Sequence, residues 1–312
     1  MTAETEGRVV ITGATGFIGS ALVRELCAQY ELVALSRDVQ KASKLFGSDV
    51  RVVQWDGGTA EGWADEAEGA YAIINLAGQN IASGRWTKAV KDRILQSRLD
   101  AIRAVADAVE KAEHKPEVVI QASAIGFYGS RGDEELNEES GAGGGFLAEV
   151  CRELERAAER IEKLGVRPVV IRTGVVLGLE GGALPRFAAP FRFYLGGYVG
   201  SAGQWLSWIG LNDEVAAIRF LMENDQLSGI FNLTSPGPVT VKEFAKTLGK
   251  VLNKPAWTSV PAFVIRLGMG QMGTEVLLGS QRVLPKRLAE AGFEFAHSNL
   301  SDALRCVYKR RE

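Results

Sequence analysis

Residues 12–19 read Thr-Gly-Ala-Thr-Gly-Phe-Ile-Gly, three glycines in the spacing G-x-x-G-x-x-G. The run lies between a short apolar segment, Arg8–Thr12, and a segment with apolar residues at helical spacing, Ile18–Ala28. It therefore closes a strand and opens a helix. Each glycine has its own use there. Gly13 permits a tight turn, Gly16 has no Cβ to hold the backbone off a pyrophosphate, and Gly19 lets helix and strand pack closely. The free N–H groups and partial positive charge of a helix N-terminus complete an anion site. Together with Thr15, Phe17 and Ile18, these are the expected contacts to a dinucleotide. The second strand ends Leu35-Ser36-Arg37, about 20 residues beyond Gly16. An acid at that point would bond a ribose 2′-hydroxyl. A hydroxyl and a guanidinium suit a 2′-phosphate instead, and Arg37 can also stack on adenine. Lys41 and Lys44 add positive charge nearby. The expected cofactor is NADP(H) rather than NAD(H).

Such a loop works only on a scaffold that fixes the strand end against the helix start. The first half of the chain alternates short apolar runs with amphipathic stretches. The strands read as Arg8–Thr12, Glu31–Ser36, Val50–Trp55, Ala70–Leu76, Glu117–Ala122 and Arg167–Arg172. Lys88–Glu113 and Phe146–Leu164 are the long helical patterns between them. Helix-linked strands of this kind predict an α/β fold with a doubly wound parallel Rossmann sheet. After Gly178 the alternation stops. Gly181–Gly203 reads as loops and a short helix over a cleft, Asn212–Glu223 as a helix and Gly229–Leu233 as a strand. Thr240–Leu252 is a helix opened by the capping pair Thr240 and Glu243, and Ser301–Tyr308 is the last helix. The expected division is an NADP-binding domain over 1–178, to which 205–235 returns, and a smaller C-terminal α/β substrate lobe over 179–312.

Composition removes several function classes. The 312 residues are 46% hydrophobic and 24% charged, with a formal net charge of −2. There is no basic excess to neutralise a nucleic-acid backbone. No apolar run is long enough to span a bilayer, so neither nucleic acid nor membrane is expected as a partner. The N-terminal MTAETEG lacks the basic and apolar regions of a signal peptide. The expected location is cytoplasmic, or an organelle stroma or matrix had a transit segment been removed. Cys27, Cys151 and Cys306 show no metal or disulfide spacing, and His114 and His297 have no ligand partner at spacing. No metal site is expected.

The glycine spacing with Phe-Ile after the second glycine resembles the extended short-chain dehydrogenase/reductases. A longer set of matches resembles an atypical branch of that group, the epimerase family proteins. These are LSR (35–37), NLAGQNI (75–81), RW (85–86), SR (97–98), IRTGVVLG (171–178), GGALP (181–185), SWIGLND (207–213), FNLTSP (231–236), VPAFVIRLGMG (260–270) and the tail GSQRVLPKRLAEAGFEF (279–295). The resemblance implies NADP(H), with Ser36 and Arg37 at the 2′-phosphate and Asp56 at the adenine. It places Leu76, Ala77 and Gly78 under the cofactor, Arg93 and Arg98 beside the cleft, and Val176 near the nicotinamide. Extended relatives often form homodimers through two long helices, here Lys88–Glu113 and Phe146–Leu164.

Working members of the wider group carry a Ser or Thr, a Tyr, and a Lys four residues after that Tyr, which moves the proton. Ser123, in QASAIGFYG, matches the hydroxyl position, although a register taken on Tyr128-Gly129 puts Ala124 there. The Tyr–Lys pair is missing: its helix begins GGGFLAEVC, and the lysine position falls near Glu149 or Glu153. Tyr128 is the nearest tyrosine. Where relatives read Trp-Ile-His, this chain has Trp208-Ile209-Gly210. Arg85, Trp86, Tyr194, Gln204, Trp205 and Trp208 are candidates for a substrate pocket. Two readings follow: an oxidoreductase or epimerase-like enzyme on an unknown small molecule, with Ser123 and Tyr128 catalytic, or a non-catalytic NADP(H)-binding sensor or interaction module.

Overall fold

The computed structural model describes residues 6–309. Seven strands form the central sheet: β1 (Arg8–Thr12), β2 (Glu31–Ser36), β3 (Arg51–Gln54), β4 (Ala72–Asn75), β5 (Val118–Ala124), β6 (Arg167–Thr173) and β7 (Gly229–Leu233). Every pairing is parallel, in the order β7-β6-β5-β4-β1-β2-β3. The central strands are apolar on both faces because helices cover both. The chain order reverses between β1 and β4, so their carboxyl ends open a crevice, with Thr12 opposite Asn75.

Helices α1 (Phe17–Leu26) and α5 (Leu211–Glu223) cover one face. Leu22, Val23 and Leu26 meet Val215, Ile218 and Leu221 there over Val9, Ile11 and Ile74. Helices α3 (Lys88–Lys111) and α4 (Phe146–Lys163) cover the other, through Ile102, Val105 and Val109 and through Leu154, Ala158 and Ile161. Arg160 ties α4 to α3 through Asp107 and Glu110. A helix unread in the sequence, α2 (Val39–Phe46), follows β2. Only Ala42 of it is buried, so its apolar signal is faint. Its start is set by the Asp38 carboxylate, which accepts from the Lys41 N–H at 2.9 Å.

The remaining chain builds a second core at the carboxyl edge of the sheet, around Leu184, Phe191, Trp208, Phe244, Leu248 and Leu304. Helix α6 (Val241–Val251) starts at a complete capping box between Thr240 and Glu243. Helix α7 (Ala262–Met272) follows Pro261, and α8 (Leu300–Lys309) ends the described chain. The segment expected to be loops and a short helix, 181–203, contains the helix Leu184–Ala188 and the strand Gly196–Val199, which pairs in parallel with Ala256–Val260. That strand is glycine-rich because a Cβ at Gly197 would collide with Thr258. No helix among the described residues is long and apolar enough to cross a membrane.

Candidate functional site

The glycine loop spans the crevice between β1 and β4. Gly13 has φ of +67°, a conformation costly for any residue with a Cβ, and its carbonyl accepts from the Gly16 N–H at 2.9 Å. A Cβ there would also lie 2.8 Å from the Leu76 carbonyl carbon, and one on Gly19 would strike the Gly13 carbonyl oxygen. The loop thus rests against β4 on one side and α1 on the other. Helix α1 has no side-chain cap and no acid in its first turn. Its first N–H groups are left for an anion, with Thr15 and Gly16 exposed and Ile18 half-buried. The Phe17 ring turns away and packs on the glycine loop after Val176, 2.7 Å from where a Cβ of Gly178 would sit. Val176 itself is buried beneath that loop.

A buried polar ladder locks the strand ends below the loop. Asn75 donates to Gln121 at 2.7 Å, Thr12 lies 2.5 Å from Asn75, and the Ala77 N–H donates to the Thr12 hydroxyl at 3.2 Å. Leu76 and Ala77 are half-buried and Gly78 is exposed. The Arg98 guanidinium carbon is 2.9 Å from where a Gly78 Cβ would be, and Arg98 donates to the carbonyls of Gln79 and Ile94. Arg98 therefore stiffens the loop after β4; burial holds its pKa below the ordinary value. Arg93 lies on an exposed face of α3 and has no polar partner among the described residues.

At the end of β2 the two expected phosphate residues differ. Ser36 is buried; its hydroxyl donates to the Asp38 carbonyl and accepts from the Asp38 N–H, shaping the turn into α2. Arg37 is exposed, its stem lies against Gly57, and its guanidinium has no partner among the described residues. Asp56 holds its own loop. It accepts from the N–H groups of Gly58 and Thr59 and from the Thr59 hydroxyl, and the backbone donors lower its pKa.

The centre expected to hold the proton-moving residues is rebuilt. The face of α4 toward β5 presents Leu147, Cys151 and Glu155, one helical turn apart. Leu147 packs on Gly126, and the Cys151 thiol donates to the Ala124 carbonyl at 3.6 Å. Burial pushes that thiol's pKa up. Cys151 thus stands on the inward face of α4. Glu149 and Glu153 turn outward, Glu153 onto Arg156. Ser123 donates to Glu155 at 2.7 Å, and Arg172 grips Glu155 with two hydrogen bonds of 2.9 and 2.7 Å. Burial works against the charge on Arg172, but the hydrogen bonds and charge of Glu155 outweigh it and raise the pKa. Arg172 also donates to the Tyr128 hydroxyl, which donates to Asn232 at 2.8 Å. Tyr128 has no exposed surface, and burial raises its pKa. Its hydroxyl thus accepts from Arg172 and donates to Asn232 within this network.

Three of the six expected pocket residues belong to the interior. Trp86 is buried against Phe146, Trp208 is fully buried, and Gln204 closes a turn onto Ser201. Trp205 donates to Asp133 and lies under Arg282. Arg85 is exposed beside Gly270, and Tyr194 is exposed on the second core. A cavity of about 750 Å³ between α1, α5 and α8 contains none of the expected site residues. Among the described residues no cluster of three His, Cys, Asp or Glu could hold a metal.

Comparison with known proteins matches this arrangement to one group. Residues 9–234 fit the model of the NAD dependent epimerase/dehydratase family, and 260–307 fit a Domain of unknown function (DUF1731). The epimerase family protein YfhF of Bacillus subtilis is 39% identical over 300 residues, covering 95% of this chain and 96% of that one. The chloroplastic SDR39U1 homolog of Arabidopsis thaliana is 38% identical, over 97% of this chain and 87% of its own. The crystal structure of human SDR39U1 (isoform 2) with NADPH superposes with a TM-score of 0.85 at 30% identity, covering 97% of this chain and 99% of that chain. UDP-glucose 4-epimerase of Thermus thermophilus, at 18% identity and a TM-score of 0.76 over 97% of this chain and 99% of that chain, shares the fold.

Proposed function

The chain belongs to the NAD dependent epimerase/dehydratase family, and from that premise we propose that it binds NADP(H) and acts as an oxidoreductase or epimerase-like protein on a small molecule bearing a hydroxyl. One observation carries the cofactor assignment: the exposed Arg37 guanidinium stands unpartnered among the described residues at the end of β2, where an NAD-selective protein needs an acid. The residues fit the whole dinucleotide. Gly13 and Gly19 leave a hollow that a Cβ would fill, and the bare N-terminus of α1 suits the pyrophosphate. Leu76, Ala77 and Gly78 follow β4 where the crevice opens, and the Val176 carbonyl and the Phe17 ring both lie against Gly182. Human SDR39U1, which this chain follows over 97% of its length, was solved with NADPH.

When bound, NADP(H) supplies the hydride chemistry. The protein's own contribution centres on Ser123. A carboxylate gripped by a buried guanidinium only accepts hydrogen bonds. The single hydrogen of the Ser123 hydroxyl is therefore spent on Glu155, and lone pairs are what Ser123 offers the cleft. That polarity selects a donor. A substrate hydroxyl gives its proton to Ser123 Oγ as the Ser123 proton passes to Glu155 Oε1. Arg172 positions Glu155, and Tyr128 with Asn232 positions Arg172. Leu147 and Cys151 keep this corner apolar in place of a Tyr–Lys pair.

Fluorescence titration with NADPH, followed by incubation of the NADP⁺-loaded protein with alcohols and of the NADPH-loaded protein with carbonyl compounds, tests the reading. The expected result is saturable NADPH binding and turnover that Ser123→Ala abolishes while binding persists. Binding with no turnover on either panel would favour a cofactor sensor, and absence of binding would overturn the proposal.

A further inference from the structure

Large apolar side chains stand exposed along the edge of the second core, on 193–195, on the strand paired beside it and on the helix that follows that strand, with basic residues among them. Leu267 is 80% exposed, Phe193 75% and Trp257 71%, with Tyr194, Leu195 and Phe263 also above half. Monomer surfaces scatter such residues singly; here they are linked. The Trp257 indole donates to the Tyr194 carbonyl at 3.0 Å and the Thr258 hydroxyl to the Leu195 carbonyl at 2.9 Å. The strand that carries Trp257 runs through Pro261 into α7, which carries Phe263 and Leu267. Tyr194 has φ of +59°, a left-handed conformation rare for a residue with a side chain. The three consecutive large residues Phe193, Tyr194 and Leu195 are thus held out of a core whose interior is already filled by Phe191, Phe244 and Leu248.

Charge is equally one-sided. The stretches 181–212 and 244–274, joined by the parallel strand pair, contain no Asp or Glu at all. They contain Arg186 and Arg192 in the first, and Lys246, Lys250, Lys254 and Arg266 in the second. The Lys254 ammonium lies 3.6 Å from the Tyr194 ring centre, so the basic and aromatic features share one site. This happens in a chain whose net charge is −2. Association with a second copy through the same face would bring cations against cations. Aromatic side chains with a basic rim are the composition of a surface that rests in the headgroup layer of a bilayer.

We propose that this face is a peripheral docking surface for an anionic lipid bilayer, seated by Phe193, Trp257, Phe263 and Leu267 and steered by the surrounding lysines and arginines. The lack of a long apolar run in the sequence bears only on a spanning segment. A surface assembled from residues 63 positions apart, such as Tyr194 and Trp257, leaves no such run. Co-sedimentation of the full chain with phosphatidylcholine vesicles, and with vesicles containing phosphatidylglycerol, tests it. The wild type should pellet with the anionic vesicles, less at high salt, and much less with phosphatidylcholine alone. Trp257→Ser with Leu267→Ser should weaken binding about tenfold or more, and so should Lys254→Glu with Arg266→Glu, both with unchanged thermal unfolding. Equal pelleting with both vesicle types, or variants that bind like wild type, would overturn the proposal. So would loss of a solution dimer in the Trp257/Leu267 variant, which would assign the face to a second copy.

Discussion

Glu214→Gln should stabilise the protein, and by an amount that grows with pH. Glu214 sits in the first turn of α5 and has no exposed surface. One carboxyl oxygen accepts from the Thr173 hydroxyl at 2.7 Å, and the other has no partner among the described residues. Desolvation disfavours the charged form, and the carboxyl pKa is pushed from 4.5 up to about 8. The unfolded chain releases this proton near 4.5 and the folded chain only near 8, so the folded state loses stability as pH rises through that window. At about 1.4 kcal/mol per unit, the loss is about 3 kcal/mol by pH 7 and about 5 kcal/mol once the group is ionised in both states. Glutamine keeps the acceptor for Thr173 and cannot ionise. Urea unfolding of both proteins from about pH 5 to pH 9 should give curves that coincide in acid and diverge by several kcal/mol in base. Parallel curves across that range would mean instead that water or a partner reaches Glu214 and keeps its charged form solvated.

Glu155→Ala should cost about 3–5 kcal/mol, since it leaves Arg172 buried and unpaired; a smaller loss in calorimetry would mean that Arg172 has another counter-charge. Tyr128→Phe should cost about 1–2 kcal/mol, by stranding the Asn232 carbonyl oxygen and one Arg172 donor. It should leave NADPH affinity unchanged, and a weakened affinity in titration would bring Tyr128 into the site after all. Gly13→Val should abolish NADPH binding, since its Cβ overlaps the Leu76 backbone and φ is positive; binding retained within about tenfold would remove the loop from the account.

Much of the fold is legible in the sequence because its signals are local. The strand–loop–helix at 8–26, the capping box at Thr240 and the run of apolar strands each depend on neighbours in sequence. Strand ends shift by a residue or two where pairing stops short of the apolar run, as at β4, whose apolar run begins at Ala70 and whose pairing begins at Ala72. Helix α2 escapes a sequence reading because one buried residue gives no periodicity, and α7 because Gly268 and Gly270 break its pattern. The corner around Glu155 is much less legible. Glu155 becomes informative only when β6 brings Arg172 to it and β5 brings Ser123, from 17 and 32 positions away. Tyr128 looks available in sequence, and it is buried only once distant Leu136 and Val283 pack on it and Asn232 of β7 takes its hydroxyl. The spacing of Leu147, Cys151 and Glu155 is the one signal that aligns the helix face, and reading it requires the true register of α4 against β5.

If Arg37 selects a 2′-phosphate, the ratio of NADPH to NADH affinity in wild type and in Arg37→Ala reports it. Wild type should prefer NADPH, and Arg37→Ala should lose about 1.5–3 kcal/mol toward NADPH alone, roughly 10- to 100-fold. NADH affinity should stay the same in both proteins. Equal affinity of wild type for the two nucleotides, or an Arg37→Ala ratio indistinguishable from wild type, would contradict it.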